Sequence, residues 1–408
     1  MLNFIAGGVC AAQGFRAAGI HVGVKTHAAW KKDVALIVSD VDCAAAAVFT
    51  KNVVKAAPIH VDKKHLADGR ARAIIANSGN ANACAPQGEE NAVRMCAAAA
   101  AAIGCRGEDV LVSSTGVIGQ TLNVGVIEAG VPALHAALER SEAASDAAAH
   151  AIMTTDTEKK EAAVETVVGG KTVRLGGIAK GSGMIHPNMG TMLCFLTTDC
   201  AISPEMIRAA LLETVNVSFN RISVDGDTST NDSCIVLANG LAGNPAITAK
   251  GEDYAAFVSA LKALCIRLAQ QMAADGEGAK HLITCTVTGA GSEAGAETVA
   301  KSVVSSTLTK AAIFGADANW GRVLCAMGYS GEDFDPEAVD VSFASAAGEI
   351  AVCRRGRGLD FDEDLAKRIL TEHDVEIRIA MGEGDGSCTC WGCDITYDYI
   401  KINGDYRT

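Results

Sequence analysis

Residues 181–193 read GSGMIHPNMGTML and run directly into the apolar CFLTTD. Thr191 carries a hydroxyl there, and Gly190 precedes it. A threonine hydroxyl is a poor nucleophile until a base takes its proton. The chain has nine histidines, but no Ser-His-Asp order stands out to supply that base. A solution without histidine exists. If the chain is cut before Thr191, the new α-amine can act as base for its own hydroxyl. An α-amine has a pKa of about 7.7–8.0, so an appreciable share is neutral near pH 7. The same hydroxyl could make the cut by attacking the carbonyl of residue 190, giving an ester that water opens. Gly190 tolerates the unusual dihedrals such an attack needs, and Pro187 stiffens the approach. The plainer reading, a loop entering a strand, stays open on spacing alone.

Four further groupings could do chemistry. In LVSSTGVIGQ, Thr115 and Gly116 follow an apolar run. A hydroxyl and a backbone N–H at such a corner can aim at one oxygen, as an oxyanion hole requires. Ser-Thr-Gly is also ordinary turn chemistry. In ISVDGDTSTND, Asp225 and Asp227 stand two apart and could hold Mg²⁺ for phosphoryl transfer. A tight Asp-Gly turn whose side chains bond their own backbone is the rival reading, and the favoured one. In VTGAGSEAGA, Gly289, Gly291 and Gly295 depart from the dinucleotide fingerprint and read as a strand-to-helix turn. In CTCWGC, Cys388, Cys390 and Cys393 fall short of the four ligands zinc wants, with no histidine nearby. They read as small apolar residues at a turn before a strand, and no metal site is expected.

These residues need a scaffold. The chain has 408 residues, 49% hydrophobic, enough for two ordinary domains or one large α/β unit. Helical patterns occur at 89–104, 203–216 (Ser203 as N-cap, Pro204 in the first turn) and 252–276, with two shorter ones in SEAGAETVAKSVVSS and DEDLAKRILTE. Short β-branched runs such as ARAIIANSG, DVLVSS, MLCFLTTD, DSCIVLANG, HLITCTVTG and VDVSFAS read as strands, and CDITYDYIKI at 393–402 as the last. The order is mixed rather than strictly βαβα, which predicts a layered α+β sandwich. The net charge of -13 argues against a nucleic-acid partner. No signal-peptide pattern opens the chain, and the longest apolar run, at 95–105, is too short to cross a bilayer. Fifteen scattered cysteines fit reduced thiols filling a core, and a cytoplasmic setting.

At AKGSGMIHPNMGTML the sequence resembles the ornithine acetyltransferase family of arginine biosynthesis, also called glutamate N-acetyltransferases. The resemblance covers nearly the whole chain. It includes GGVCAAQGFRAAGI, IANSGNANAC, SSTGVIG, IMTTDT, SVDGDTSTND, FGADANWGR and the closing GCDITYDYIKINGDYRT. It implies a self-cleaving α+β enzyme, similar in chemistry to N-terminal-nucleophile hydrolases. The implied products are an α chain, 1–190, and a β chain, 191–408, forming one intertwined unit, with two such pairs making a heterotetramer. Cleavage would fall between Gly190 and Thr191, with Gly190 standing where the family commonly has alanine. Thr191 would be the nucleophile, and Thr115 with Gly116 the oxyanion pair. Thr154, Lys180, Thr191, Glu277, Asn403 and Thr408 match substrate-binding positions. Lys180 could pair with a substrate carboxylate and Glu277 with an ammonium. Each has a bland reading: lone charges are commonly solvated surface, Thr154 could cap a helix, and Thr408 could be a frayed end.

The implied reaction moves acetyl from N²-acetylornithine to glutamate through an acetyl-Thr191 ester. It uses no bound cofactor, though some members also take acetyl-CoA as donor. The competing classes are the Mg²⁺-dependent phosphatase centred on Asp225 and Asp227, and a non-catalytic binding protein on the same scaffold.

Overall fold

In strand Leu193–Thr198 every residue is buried, because both faces of the sheet around it are covered. Side chains alternate across a strand. Cys194 and Leu196 therefore share one core with Phe257, Leu261, Leu264 and Leu268 of helix Glu252–Ala274. Leu193 and Phe195 share the opposite core with Ala148, Ala149 and Ile152 of helix Glu142–Ile152. Strand Ser233–Ala238 divides in the same way, with Cys234 and Val236 on one side and Ile235 and Leu237 on the other. Each large apolar side chain so buried contributes on the order of 1.5–3 kcal/mol. This double coverage explains why these strands are continuous apolar runs rather than alternating ones.

The computed structural model describes residues 2–26, 30–186 and 192–405. Its larger sheet has nine strands. Their order is Asn3–Ile5, Lys160–Val168, Lys171–Lys180, Leu193–Thr198, Ser233–Ala238, Val34–Phe49, Arg70–Asn80 and Val110–Val117, with Phe15–Ile20 also paired to Val34–Phe49. Two pairs are parallel, Leu193–Thr198 with Ser233–Ala238 and Arg70–Asn80 with Val110–Val117. The sheet thus joins strands from both sides of residue 190.

The second sheet has seven strands, centred on Asp374–Ala380, Leu282–Ala290 and Gly386–Cys393. Ile283, Cys285 and Val287 face a core built with helices Glu293–Ser305, Trp320–Gly328 and Glu363–Leu370. Their neighbours Thr284, Thr286 and Thr288 are only partly buried or exposed, so this sheet has one covered face. The whole is a layered α+β fold. No helix among the described residues is long and apolar enough to cross a membrane.

Most expected elements form. Ser203 caps helix Pro204–Asn216 by accepting from Met206 N–H at 3.3 Å. The glycine-rich 287–296 is a strand-to-helix turn: Gly289 has φ +73°, and Ser292 accepts from Gly295 N–H at 3.0 Å to start the helix. The C-terminal expectation fails. CTCWGC lies within strand Gly386–Cys393 rather than at a turn before one, and the segment predicted as the last strand enters helix Tyr397–Gly404. Thr396 decides the change. Its hydroxyl accepts from Asp398 N–H at 3.2 Å and donates to the Gly278 carbonyl at 2.7 Å, which starts a helix at a tertiary contact.

Candidate active site

A cavity of about 320 Å³ is lined by Thr115, Gly116, Thr154, Lys180, Glu277 and Asn403, all six named from the sequence. They come from five separate segments. Thr115 and Gly116 are inside strand Val110–Val117 rather than past it. The strand loses its regular register there, because Asn80 pairs with both Thr115 and Val117. Gly116 has φ +131°, and a Cβ on it would stand 2.5 Å from Asn80 N, so no other residue fits this bulge. Lys180 ends strand Lys171–Lys180. Its ammonium lies 3.4 Å from Thr115 Oγ1, to which it donates.

Lys180 is a buried cation, not a solvated surface charge. Burial lowers its pKa below the ordinary lysine value, while the carboxylates of Asp156, Glu277 and Asp232 oppose that shift. Glu277 is also buried, just past helix Glu252–Ala274. Its Oε2 accepts from Asn403 Nδ2 at 2.7 Å, and Asn403 Nδ2 also donates to the Tyr399 carbonyl at 3.0 Å. A Cβ on Gly183 would fall 2.4 Å from the Glu277 carboxyl carbon, so glycine gives that carboxylate its room. Thr154 lies two residues beyond the end of helix Glu142–Ile152 and caps nothing. One cation and one anion, each buried and each at the cavity, suit a ligand carrying both an ammonium and a carboxylate.

A smaller pocket of about 20 Å³ shares Thr115 and Lys180, and its other walls include Met192, Leu193 and Asp232. The start of strand Leu193–Thr198 therefore borders the site. Gly190, Thr191 and Thr408 lie outside the described residues.

Asp225 has another task. Its carboxylate accepts from Met184 N–H at 2.5 Å, Ile185 N–H at 2.9 Å and Asp227 N–H at 3.2 Å. Both oxygens serve the backbone of the GSGMI segment, which supports the structural reading of SVDGDTSTND over the phosphatase. Among the described residues, no group of three or more His, Cys, Asp and Glu side chains is placed to hold a metal ion. Sequence reasoning missed Ser229, Thr230 and Asn231, which also line the cavity. Asn231 Nδ2 donates to the carbonyls of Ala81 at 2.6 Å and Ser114 at 2.7 Å, clamping the strand that carries Thr115. Their place in the SVDGDTSTND motif was the available signal.

Comparison with known proteins gives the family. The model of the ArgJ family matches residues 16–408. The arginine biosynthesis bifunctional protein ArgJ of Symbiobacterium thermophilum is 51% identical over 408 residues, covering 100% of both chains. An ArgJ 1 protein of Clostridium acetobutylicum is 47% identical, covering 97% of this chain and 96% of its own. The crystal structure of an arginine biosynthesis bifunctional protein from Bacillus halodurans is 46% identical with a TM-score of 0.50, covering 52% of this chain and 98% of that one.

Proposed function

This chain belongs to the ArgJ family, and from that premise we propose that it transfers acetyl from N²-acetylornithine to glutamate through an ester on Thr191. The observation that carries the reading is the single cavity that gathers Thr115, Gly116, Thr154, Lys180, Glu277 and Asn403. The position of Met192 on the adjoining wall supports Thr191 as the nucleophile.

The chain first cuts itself before Thr191, freeing the α-amine. That amine takes the hydroxyl proton as Thr191 Oγ1 bonds to the acetyl carbon. Negative charge develops on the carbonyl oxygen, where Thr115 Oγ1 and Gly116 N–H donate to it. The Lys180 ammonium beside Thr115 reinforces the polarity of that corner. The carbon–nitrogen bond to ornithine breaks, and the proton passes to the departing amine. Glutamate then enters the same cavity, its amine attacks the ester, and the Thr191 hydroxyl is restored. The scheme balances without a metal or bound cofactor. Glu277 holds the substrate ammonium and Lys180 the carboxylate; Asn403 steadies Glu277. Thr154 and Thr408 complete the binding set.

The bifunctional names of the relatives support acetyl-CoA as a second donor, to be assayed separately from acetylornithine. A chain beginning at residue 191 has 218 of the 408 residues, close to the 52% that the solved Bacillus halodurans chain covers, which supports separate chains. The proposed assembly of two cut pairs is checked by the mass of the native particle.

Thr191→Ala is expected to give one uncut chain on a denaturing gel and no acetyl transfer, where the unaltered protein gives fragments 1–190 and 191–408. Full turnover by that variant would sink the mechanism.

A further inference from the structure

Asp156 is buried behind the cavity and bonds to two of the segments that line it. Its Oδ2 accepts from Thr154 N–H at 2.9 Å. Its Oδ1 accepts from Gly181 N–H, next to Lys180, at 2.8 Å and from the Lys160 ammonium at 2.6 Å. Lys160 is completely buried and has a second carboxylate partner, Asp275. Asp275 accepts from Thr157 N–H at 3.1 Å and Glu158 N–H at 3.2 Å. Its backbone carbonyl accepts from Ser182 Oγ at 2.7 Å, and the Ser182 carbonyl accepts from Glu277 N–H at 2.9 Å. An unbroken set of bonds therefore joins the backbones of Thr154, Gly181 and Glu277 through one buried ion cluster.

We propose that Asp156 is a positioning residue for acetyl transfer: its buried carboxylate, bonded to Thr154 N–H and Gly181 N–H, holds Thr154 and Lys180 in register and sets a negative charge one residue from Lys180. This rests on the acetyltransferase reading above. Lys180 and Asp156 do not form a direct ion pair; the two act through the short backbone link at Gly181 and through the field between two buried groups, where charges are weakly screened. The charged groups around Lys180 are Asp156 and Lys160 from the chain before and within strand Lys160–Val168, Glu277 after the long helix, Asp232 before strand Ser233–Ala238, and Lys25 near the N-terminus. Burial works against the Lys180 charge, and Asp156 is the largest opposing influence. Burial also works against the Asp156 carboxylate, but Lys160 and Lys180 outweigh it and hold its pKa well below the usual range.

The consequence has a definite sign. An ammonium is present below its pKa and lost above it. Removing the Asp156 charge lowers the Lys180 pKa, so the cation disappears at a lower pH. Asp156→Asn is therefore expected to move the alkaline limb of kcat/KM for acetylornithine to lower pH, so that activity on that limb falls further than activity on the plateau. Lys180→Arg identifies the limb, because a guanidinium keeps its proton and the limb should vanish. Asp156→Glu keeps the charge while displacing the backbone bonds, so it should raise KM and leave the limb in place. A purely structural role would scale the Asp156→Asn profile down at every pH without moving it, and that result would overturn the inference. So would a shifted limb in Asp156→Glu. If Asp156→Asn fails to fold by thermal unfolding, Asp156→Glu decides through its KM: a raised KM with little change in kcat supports the positioning role, and a parental KM overturns it. An unaltered protein that transfers no acetyl would instead refute the underlying reading.

Discussion

At Gly183 the absence of a side chain is what lets Glu277 approach. The carboxylate fills the space a Cβ would take, and Asn403 holds its outer oxygen. Gly183→Ala should push Glu277 aside and break that bond while leaving the sheet intact. Expected is a rise in KM for acetylornithine of about tenfold, the equivalent of ~1.4 kcal/mol, with kcat changed less and thermal stability near that of the parent. Steady-state kinetics beside a melting curve checks it; an unchanged KM would remove Glu277 from the binding set. Gly116 differs, because its Cβ would meet backbone atoms of Gly79 and Asn80 that cannot swing away. Both glycines stood in readable motifs, but the reason each must be glycine lies in atoms distant along the chain.

At the scale of the element, helix Tyr397–Gly404 delivers Asn403 to Glu277 and buries none of its own residues. Its stability therefore rests on its ends and on few tertiary contacts. Thr396 is the N-cap and also anchors the segment to Gly278, one residue after Glu277. Thr396→Ala should cost about 1 kcal/mol in a denaturant-unfolding midpoint and raise KM, whereas Thr396→Ser should restore both. A Thr396→Ala variant with parental KM would mean that the helix does not position Asn403. The alternation in CDITYDYIKI predicts a strand because apolar periodicity cannot tell that Thr396 meets Gly278. The strand predictions that held, such as MLCFLTTD and DSCIVLANG, are buried on both faces, where composition alone is informative.

For the whole molecule, strand Leu193–Thr198 follows the proposed cut yet lies between Lys171–Lys180, before it, and Ser233–Ala238, after it. Fragments 1–190 and 191–408 should consequently co-elute as one native particle, and separate only when denaturant dissolves the shared sheet in one cooperative transition. Size-exclusion chromatography followed by a denaturing gel of the peak checks this. Fragments that part under native conditions would mean the cut releases the strand from the sheet.

The sequence by itself determined the class of fold, the family, and six of the cavity residues, because long motifs and apolar runs are local properties of a chain. It could not show that Lys180 and Glu277 are buried rather than solvated. Nor could it show that Asn231 clamps the strand carrying Thr115, or that Asp225 accepts from the backbone N–H groups of Met184 and Ile185. Tertiary structure alone decided these, because burial and hydrogen-bond partnership depend on which distant segments meet. The charge of a lysine and the freedom of a carboxylate are set by those neighbours.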